Sequence, residues 1–529
     1  MNIIKHNSFD TFKMLFKQIG GLLVVLGGAM VVPLIVSAVY AEFYSVLGFL
    51  LSLTICVTIG LSLYKGIGTT LEPLNRHALI IAALGWLFLA IMGALPFLII
   101  AHITPDHIAN LFVPSGEGYS SSLVYFKNPL HAVFESMSAF TTTGLSMAVH
   151  EPSIGKGLLF YRSFAQWLGG AGIIVLAIAV LSQNSGRTAL FLYGSESSGE
   201  RLKPTVIETA RSIWKIYLGI TLFSLVYLVA GTLIFLPDYP ISNVIFDSVN
   251  HAMAAQSTGG FSSLDNSIAT YGSAKMEMLH ILPMILGALS LPFFFRLFRE
   301  KDIRLFWRDL QTRAVILFSI VGGVLLSFML MESQIISEPF RVGLFQFVSA
   351  LSTTGWQTAD VHVWDSASIF FIVIAGMVVG GAAGATVGGI KMIRVLLFFK
   401  GILWKINGFF KSEHSIHVVE FNGKRLLPSE MYKDLGSAAI FSFVYLLFVF
   451  VSTLVTFYFM GDGYSISDAL FESASAQGTV GLSCGITNPD MSPVLEVLYI
   501  VQMWCGRLEI IPVLVLFRTI IMGTRPVVV

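Results

Sequence analysis

Four short polar segments, each containing glycine and each lying between two long apolar stretches, constrain this 529-residue chain more than any other feature. They are 141–145 (TTTGL), 256–260 (QSTGG), 352–356 (STTGW) and 478–482 (GTVGL). Glycine adopts backbone angles that other residues avoid, so successive carbonyl groups can point at one axis. One such turn would indicate no more than close helix packing. Four at matched spacing predict a pore lined by backbone carbonyl oxygens.

The composition predicts a membrane protein. Hydrophobic residues make up 55% of the chain and charged residues only 12%, and the apolar runs approach the ~20 residues that cross a bilayer. The formal net charge of +1 gives no indication of nucleic-acid binding, and three scattered cysteines predict neither a disulfide framework nor a zinc site. The apolar runs lie at 18–41, 45–64, 77–102, 157–183, 211–236, 274–298, 312–333, 366–400, 435–460 and 493–521.

The distribution of basic residues predicts the orientation. Lysine and arginine are concentrated in the segments that follow even-numbered spans, and cytoplasmic loops carry this excess. Both termini are therefore expected in the cytoplasm. The amino-terminal run, preceded by lysines, is compatible with a cleaved signal peptide, but its length favours a retained first helix.

Each glycine segment follows a stretch that is too short to cross the membrane. A helix of about 12 residues is about 18 Å long, roughly half of a hydrocarbon core of about 30 Å. Irregular backbone at that depth must be surrounded by protein or by a water-filled cavity, so these stretches are predicted to be re-entrant pore helices. They cover 129–140, 242–255, 340–351 and 466–477.

The predicted fold is therefore an all-α polytopic membrane protein, with four pseudo-symmetric helix–pore-loop–helix repeats around one pore and an additional amino-terminal helical hairpin. Alignment on the glycines places Glu135, Asn250, Gln346 and Glu472 nine residues before Gly144, Gly259, Gly355 and Gly481. The expected boundaries are 1–70 for the hairpin and 71–190, 205–300, 305–405 and 430–529 for the repeats.

The turns supply oxygens without fixed charge. A monovalent cation that enters a low-dielectric medium must have its hydration shell replaced, and neutral oxygens allow it to leave again, whereas carboxylates suit divalent ions. Glu135 and Glu472 are accordingly expected to support the pore helices, and His131, His251 and His280 to be packed rather than bound to a metal. The predicted filter residues are Thr142, Thr143, Gly144, Ser257, Thr258, Gly259, Thr353, Thr354, Gly355, Thr479, Val480 and Gly481.

The eighth span predicts a gate. Residues 366–400 as one straight helix would measure about 52 Å, and each glycine in the run 380–389 (GGAAGATVGG) costs a helix about 1 kcal/mol relative to alanine. A break there forms either an intramembrane gating loop or a small-residue packing face; a phosphate loop is not predicted, because no strand precedes it and Lys391 has the wrong spacing. The candidate gate residues are Gly380, Gly381, Gly384, Thr386, Gly388, Gly389 and Arg507.

Arg507 is a candidate because an arginine in a membrane helix costs about 2.5–3.5 kcal/mol on insertion scales and should face a cavity or a partner. Either it meets the permeating ion or it pairs with a buried carboxylate. Glu509 is two residues away and should point elsewhere.

These residues resemble the superfamily of Trk, Ktr and HKT potassium transporters, most closely the bacterial Trk-type uptake subunit. The likeness covers nearly the whole chain and rests on 134–136 (FES) with 143–144 (TG), 166–170 (QWLGG), 388–391 (GGIK) and 506–509 (GRLE). It implies K⁺ as the permeating ion, since sodium-preferring plant relatives carry serine at the first turn, and no organic cofactor. It also places Arg507 beneath the filter.

The resemblance further implies a bacterial inner-membrane protein that forms a homodimer in the lipid bilayer and binds a ring of cytoplasmic nucleotide-binding (TrkA-like) subunits. The basic loops at 184–210, 299–313 and 400–433 offer docking surface. The approach to the second turn departs from the family pattern, and the turns lack the longer TVGYG run of tetrameric channels, which suggests weaker discrimination against sodium. A sodium- or proton-coupled symporter is the alternative, although parallel repeats favour a pore. A membrane enzyme is not predicted, because the spans contain no acid–base pair or metal-ligand cluster.

Overall fold

The computed structural model describes residues 8–68, 75–172, 206–410 and 418–523. This part of the chain is predominantly helical. The α-helices cover Ser8–Ala29, Val31–Val39, Phe43–Gly66, Asn75–Gly93, Leu95–Ile103, Asp106–Ala109, Pro129–Phe140, Lys156–Gly170, Val206–Phe235, Ile241–Ser257, Ala274–Ala288, Leu291–Glu300, Leu305–Arg308, Leu310–Ser333, Pro339–Leu351, Ser366–Phe371, Met392–Gly408, Pro428–Phe459, Ile466–Gly478, Pro493–Arg507 and Ile511–Met522.

Short elements connect these helices. Within the described residues, 3₁₀ turns cover Asn110–Phe112, Ser122–Lys127, Glu151–Ile154 and Ser267–Tyr271, and a π-helical turn covers Ile372–Met377. The strands form two small sheets: Val379–Gly380 pairs in parallel with Ile390–Lys391, and Val419–Phe421 pairs antiparallel with Lys424–Leu426.

The helix lengths confirm a multi-pass membrane protein. Among the described residues, six helical segments are long and apolar enough to span a bilayer, and two bent pairs can each count as one more. The six are Thr11–Val39, Phe43–Gly66, His77–Ile103, Arg211–Phe235, Leu310–Ser333 and Pro428–Phe459. Of the predicted span 157–183, residues 173–183 lie outside the described chain.

Two predicted spans are not straight. The sequence predicts continuous spans at 274–298 and 493–521, but their helices bend by 93° and 112°. In both, the second helix starts with a proline in its first turn, Pro292 and Pro512. Proline fits the first turn of a helix but lacks the N–H needed inside one, so the chain restarts there.

The amino-terminal hairpin packs tightly on itself and on the following repeat. Its two long helices approach at Gly20 and Gly60, where a Cβ on either residue would lie 2.8 Å from the other's carbonyl oxygen. Glu42 then reaches across, and its carboxylate accepts hydrogen bonds from the amides of Lys156 (2.5 Å) and Gly157 (2.9 Å). It caps a helix that belongs to a distant part of the sequence.

The four pore helices form where half-length helices are predicted, at Pro129–Phe140, Ile241–Ser257, Pro339–Leu351 and Ile466–Gly478. Their starts have local causes. Asn128 caps the first helix by accepting from the Leu130 amide, with Pro129 at its first position, and Ser465 and Asp468 form a capping box on the fourth. Each helix runs directly into its glycine segment.

The predicted break in the eighth span is also present. The helix Ser366–Phe371 loosens into the π turn, the chain leaves helical geometry over residues 378–391, and the helix resumes at Met392. The parallel strand pair holds the two ends of this segment together. We call residues 378–391 the inter-helix loop.

Candidate functional site

All four glycine turns follow the same backbone path. Each begins with a threonine at positive φ, between 49° and 58°, and two residues later reaches a glycine at φ between 71° and 95°. Positive φ is strained for threonine and easy for glycine, so the repeated pattern reflects a repeated structural demand. The threonine–glycine pairs are Thr142 and Gly144, Thr258 and Gly260, Thr353 and Gly355, and Thr479 and Gly481.

This path corrects the alignment of the second repeat. The glycine that matches Gly144 is Gly260, not Gly259, because the Gly259 amide donates to the Ala254 carbonyl (2.9 Å) just as the Thr143 amide donates to Ser138 (2.9 Å). The residue nine positions earlier is therefore His251 rather than Asn250. Two adjacent glycines left the register ambiguous in the sequence, and only the backbone angles resolve it.

The turns close into a ring. At each positive-φ glycine, an added Cβ atom would overlap a carbonyl oxygen of the next turn, so side chains are excluded there. The first turn contacts the second, the second contacts the third, and the third contacts the fourth. The fourth turn contacts the first and so completes the ring. The pairs are Gly144 with Gly259 O, Gly260 with Thr354 O, Gly355 with Val480 O, and Gly481 with Thr143 O.

Several predicted filter hydroxyls point back toward their own helices. The hydroxyls of Thr143 and Thr354 pair with those of Thr141 and Ser352, both at 2.8 Å. The Ser257 hydroxyl donates to carbonyls of its own pore helix. These groups support the turns, and Val480 occupies the same position as Thr143 without a hydroxyl.

The first threonine of each turn faces the inter-helix loop or Arg507. The Thr258 and Thr386 hydroxyls are 3.1 Å apart, the Gly388 amide donates to the Thr353 hydroxyl (3.3 Å), and a Cβ on Gly388 would overlap the Thr479 hydroxyl. The loop is itself anchored, since the Ala382 amide donates to the Ala288 carbonyl (3.0 Å) and the Ala383 amide to Gln311 (2.8 Å). The segment 386–388 therefore covers three of the four turns at the pore-helix ends.

Arg507 reaches the remaining turn. Its guanidinium donates to the Thr142 hydroxyl (3.2 Å) and to the backbone carbonyls of Thr386 (2.6 Å), Gly169 (2.6 Å) and Gly170 (3.2 Å). It thus ties the first turn, the loop and the end of the helix Lys156–Gly170 together. Glu509 points elsewhere, as predicted, and forms an ion pair with Arg394.

Glu135 and Glu472, each nine residues before the glycine of its turn, hydrogen-bond the chain segment that follows the turn. Glu135 accepts from the Met147 amide (2.8 Å) and from Arg162 (2.6 Å), and Glu472 accepts from the Ser483 hydroxyl (2.8 Å) and the Cys484 amide (3.0 Å). Both carboxylates are fully buried. Their hydrogen bonds agree with the predicted supporting role.

The histidines are packed, as predicted. His251 hydrogen-bonds the Ser262 hydroxyl (3.1 Å) and His280 (3.3 Å), and both rings contact Trp356. His131 bonds the Tyr125 carbonyl at 3.0 Å. Across the described residues, no group of three or more His, Cys, Asp or Glu side chains is arranged to hold a metal ion.

Sequence reasoning missed Arg162 and the role of Gln166. Arg162 is almost completely buried and bonds Glu135, the Ser146 hydroxyl (2.7 Å) and the Ser262 carbonyl (3.4 Å). An arginine within a predicted span was the available signal, as it was for Arg507. Gln166 stood in a family motif, but its partner could not be derived from spacing.

Fold and site together define a polytopic membrane transport protein whose four re-entrant turns, contributed by one chain, meet in a closed ring. Residues 96–523 match the TrkH family, described as cation transport proteins, and the chain belongs to this family. The family consists of membrane cation transporters rather than enzymes.

Individual relatives cover almost the whole chain. An uncharacterized cation transporter of Methanocaldococcus jannaschii is 31% identical over 520 residues, 96% of this chain and 95% of that protein. The Trk system potassium uptake protein TrkH of Escherichia coli is 28% identical, covering 96% and 98%. The crystal structure of the potassium transporter TrkH from Vibrio parahaemolyticus superposes with a TM-score of 0.76 at 25% identity, covering 96% and 98%.

Proposed function

We propose that this protein carries K⁺ across the bacterial inner membrane through one pore built from four repeats of a single chain. The closed ring of four turns carries the proposal, because it surrounds one axis with neutral backbone oxygens and excludes side chains from the glycine positions. The potassium transport named for TrkH of E. coli and V. parahaemolyticus supports K⁺ as the permeating ion.

The inter-helix loop and Arg507 are the proposed gate. Together they contact all four threonines at the inner ends of the turns. A loop that is held by hydrogen bonds and contains positive-φ glycines at 384 and 389 can take a second arrangement without unfolding the helices beside it. This contact favours the gating-loop interpretation over a helix-packing face.

We further infer the assembly and its regulation. Both termini lie in the cytoplasm, the chain forms a homodimer, and nucleotide-binding TrkA-like subunits dock on the basic cytoplasmic loops and move the gate. Residues 184–205 and 411–417 of those loops lie outside the described residues. The basic residues in the described part are Arg299, Lys301, Arg304, Arg308, Arg313, Lys400, Lys405, Lys424, Arg425 and Lys433. For the hairpin and the four repeats we propose the boundaries expected from the sequence.

Purified protein reconstituted in vesicles tests the proposal. With an imposed K⁺ gradient we expect K⁺ flux that exceeds Na⁺ flux under a matched gradient. Equal fluxes of the two ions would contradict the potassium assignment. A second arm imposes a pH gradient alone: K⁺ accumulation driven by protons would establish the symporter alternative instead of a passive pore.

A further inference from the structure

The second turn lacks two kinds of side chain that support the other three turns. In the other repeats, a pore-helix serine lies six residues before the ring glycine. Ser138 and Ser475 accept hydrogen bonds from the Gly144 and Gly481 amides (both 3.0 Å), and the Ser349 hydroxyl donates to the Trp356 carbonyl. A β-branched residue also fills the middle of each turn. The second repeat has Ala254 and Gly259 at these two positions.

Gln166 occupies the space that a side chain at position 259 would fill. A Cβ on Gly259 would overlap the Gln166 amide group, so the glutamine fills the volume of the missing side chain. Its amide nitrogen donates to the Gly259 carbonyl oxygen, and its amide oxygen accepts from the Phe261 amide (3.1 Å). Gln166 is completely buried, so water does not compete for these bonds.

The helix that carries Gln166 is itself fixed. Arg162 lies one helical turn earlier on the same face, is buried, and bonds Glu135 and the Ser262 carbonyl just beyond the second turn. Gly170, one turn later, lies against Ser257 so closely that a Cβ would be 2.7 Å from that residue's Cβ. The helix Lys156–Gly170 of the first repeat therefore packs along the whole of the second turn.

We propose that Gln166 is a positioning residue that sets ion selectivity by holding the second turn in register with the other three. This inference rests on the proposed function. The Gly259 carbonyl is the oxygen that contacts Gly144 in the ring, so a shift of the second turn changes the spacing of the oxygens that replace the hydration shell of the ion.

The test compares K⁺ and Na⁺ permeabilities in vesicles for wild type and Gln166→Leu, which keeps the side-chain size but removes both hydrogen bonds. We expect the K⁺-to-Na⁺ ratio to fall roughly three- to tenfold, the equivalent of one or two buried hydrogen bonds. Gln502→Leu is the matched control, since Gln502 is also completely buried and donates to the Ser473 carbonyl (3.1 Å) of a pore helix rather than to a turn. It should lower thermal stability while leaving the ratio unchanged.

A rescue variant separates positioning from general packing. Gln166→Ala combined with Ala254→Ser and Gly259→Thr gives the second turn the support that the first turn has, and we expect it to recover most of the wild-type ratio. A wild-type ratio in Gln166→Leu overturns the inference, as does an equal loss of selectivity in Gln502→Leu. A wild type without K⁺ preference would instead defeat the proposed function itself.

Discussion

At the scale of single residues, the site combines neutral oxygens with the nearby positive charge of Arg507. The ring glycines leave no space for a Cβ atom, and Arg507 binds a threonine hydroxyl and three backbone carbonyls rather than standing in open solvent. Selectivity and conduction are therefore expected to respond to different residues.

Gly144→Ser should weaken the preference for K⁺ over Na⁺ by about tenfold or more, because a side chain at φ 95° is strained and overlaps the Gly259 carbonyl. Permeability ratios in vesicles measure the effect. Gly116→Ser is the control: Gly116 has φ 98°, but an added Cβ meets nothing within 4 Å. An unchanged ratio in Gly144→Ser would remove Gly144 from the filter.

Arg507→Ala should increase K⁺ flux roughly tenfold or more, because a guanidinium repels a cation by about 4 kcal/mol at about 4 Å with an effective dielectric near ~20. Loss of its hydrogen bonds to backbone carbonyls should also lower stability by about 1–3 kcal/mol. Flux and thermal unfolding in detergent are measured together, with Arg394→Ala as the control, since Arg394 pairs with Glu509. Reduced stability without any gain in flux would identify Arg507 as purely structural.

Glu151, in the 3₁₀ turn Glu151–Ile154 that precedes the helix Lys156–Gly170, makes stability depend on pH. Burial raises its pKa to about 8 from the usual 4.5, although Arg162 opposes the shift. The folded protein therefore retains a proton that the unfolded chain releases, and the stabilisation this gives is present at acid pH and is lost as the pH rises from about 4.5 to about 8.

Glu151→Gln should remove this dependence, so its melting temperature should exceed that of the wild type by an amount that grows between about pH 5 and pH 9. Melting curves of the detergent-solubilised protein test this, with the exposed Glu117→Gln as the control. A constant difference across that range would show that Glu151 does not titrate in the folded protein.

At the scale of elements, the inter-helix loop joins the turns to the helices below them. It hydrogen-bonds the break between Ala274–Ala288 and Leu291–Glu300, because the Leu291 amide donates to the Gly384 carbonyl (3.0 Å) and the Ala382 amide to Ala288. Movement of the helix before or after this break is therefore expected to shift the segment that covers the threonines.

Deleting residues 383–387 should raise basal K⁺ flux without changing the K⁺-to-Na⁺ ratio, because the deletion removes the obstruction but leaves the ring of turns. Thr386→Val is a milder companion that removes only the bonds of its hydroxyl, to Thr258 and to the Gln256 and Gly287 carbonyls, and we expect a smaller increase. If the deletion variant folds and conducts like the wild type, the helix-packing interpretation gains support.

The helices, turns and bends show which parts of the fold could be predicted from the sequence. The half-length pore helices and the break near Gly380 follow from run lengths and glycine content, and both were predictable. The bends at Pro292 and Pro512 were not, since proline is compatible with a continuous span when neighbours satisfy the freed carbonyls. The pairing of Gln166 with Gly259 joins residues 93 positions apart, and no local pattern encodes it.

At the scale of the whole molecule, the four turns share one backbone path but are held in place by different contacts. The residue nine positions before the ring glycine is glutamate in the first and fourth repeats, histidine in the second and glutamine in the third. A tetramer of identical subunits must use one solution four times. A single chain can hold each turn by different contacts, which is why the second turn can depend on a glutamine from the first repeat.

The closing contact of the ring joins Gly481 of the last turn to the carbonyl of Thr143 in the first turn. During synthesis the first three turns enter the membrane well before the residue that completes the circle has been made. Arg507, which binds Thr142 and the Gly169 carbonyl, follows later still. On the proposed function, an intermediate that still lacks the fourth turn has no finished conduction path, and the arginine proposed to obstruct that path is made soon after the fourth turn. We therefore expect biogenesis of the protein not to dissipate the membrane potential of the cell that makes it.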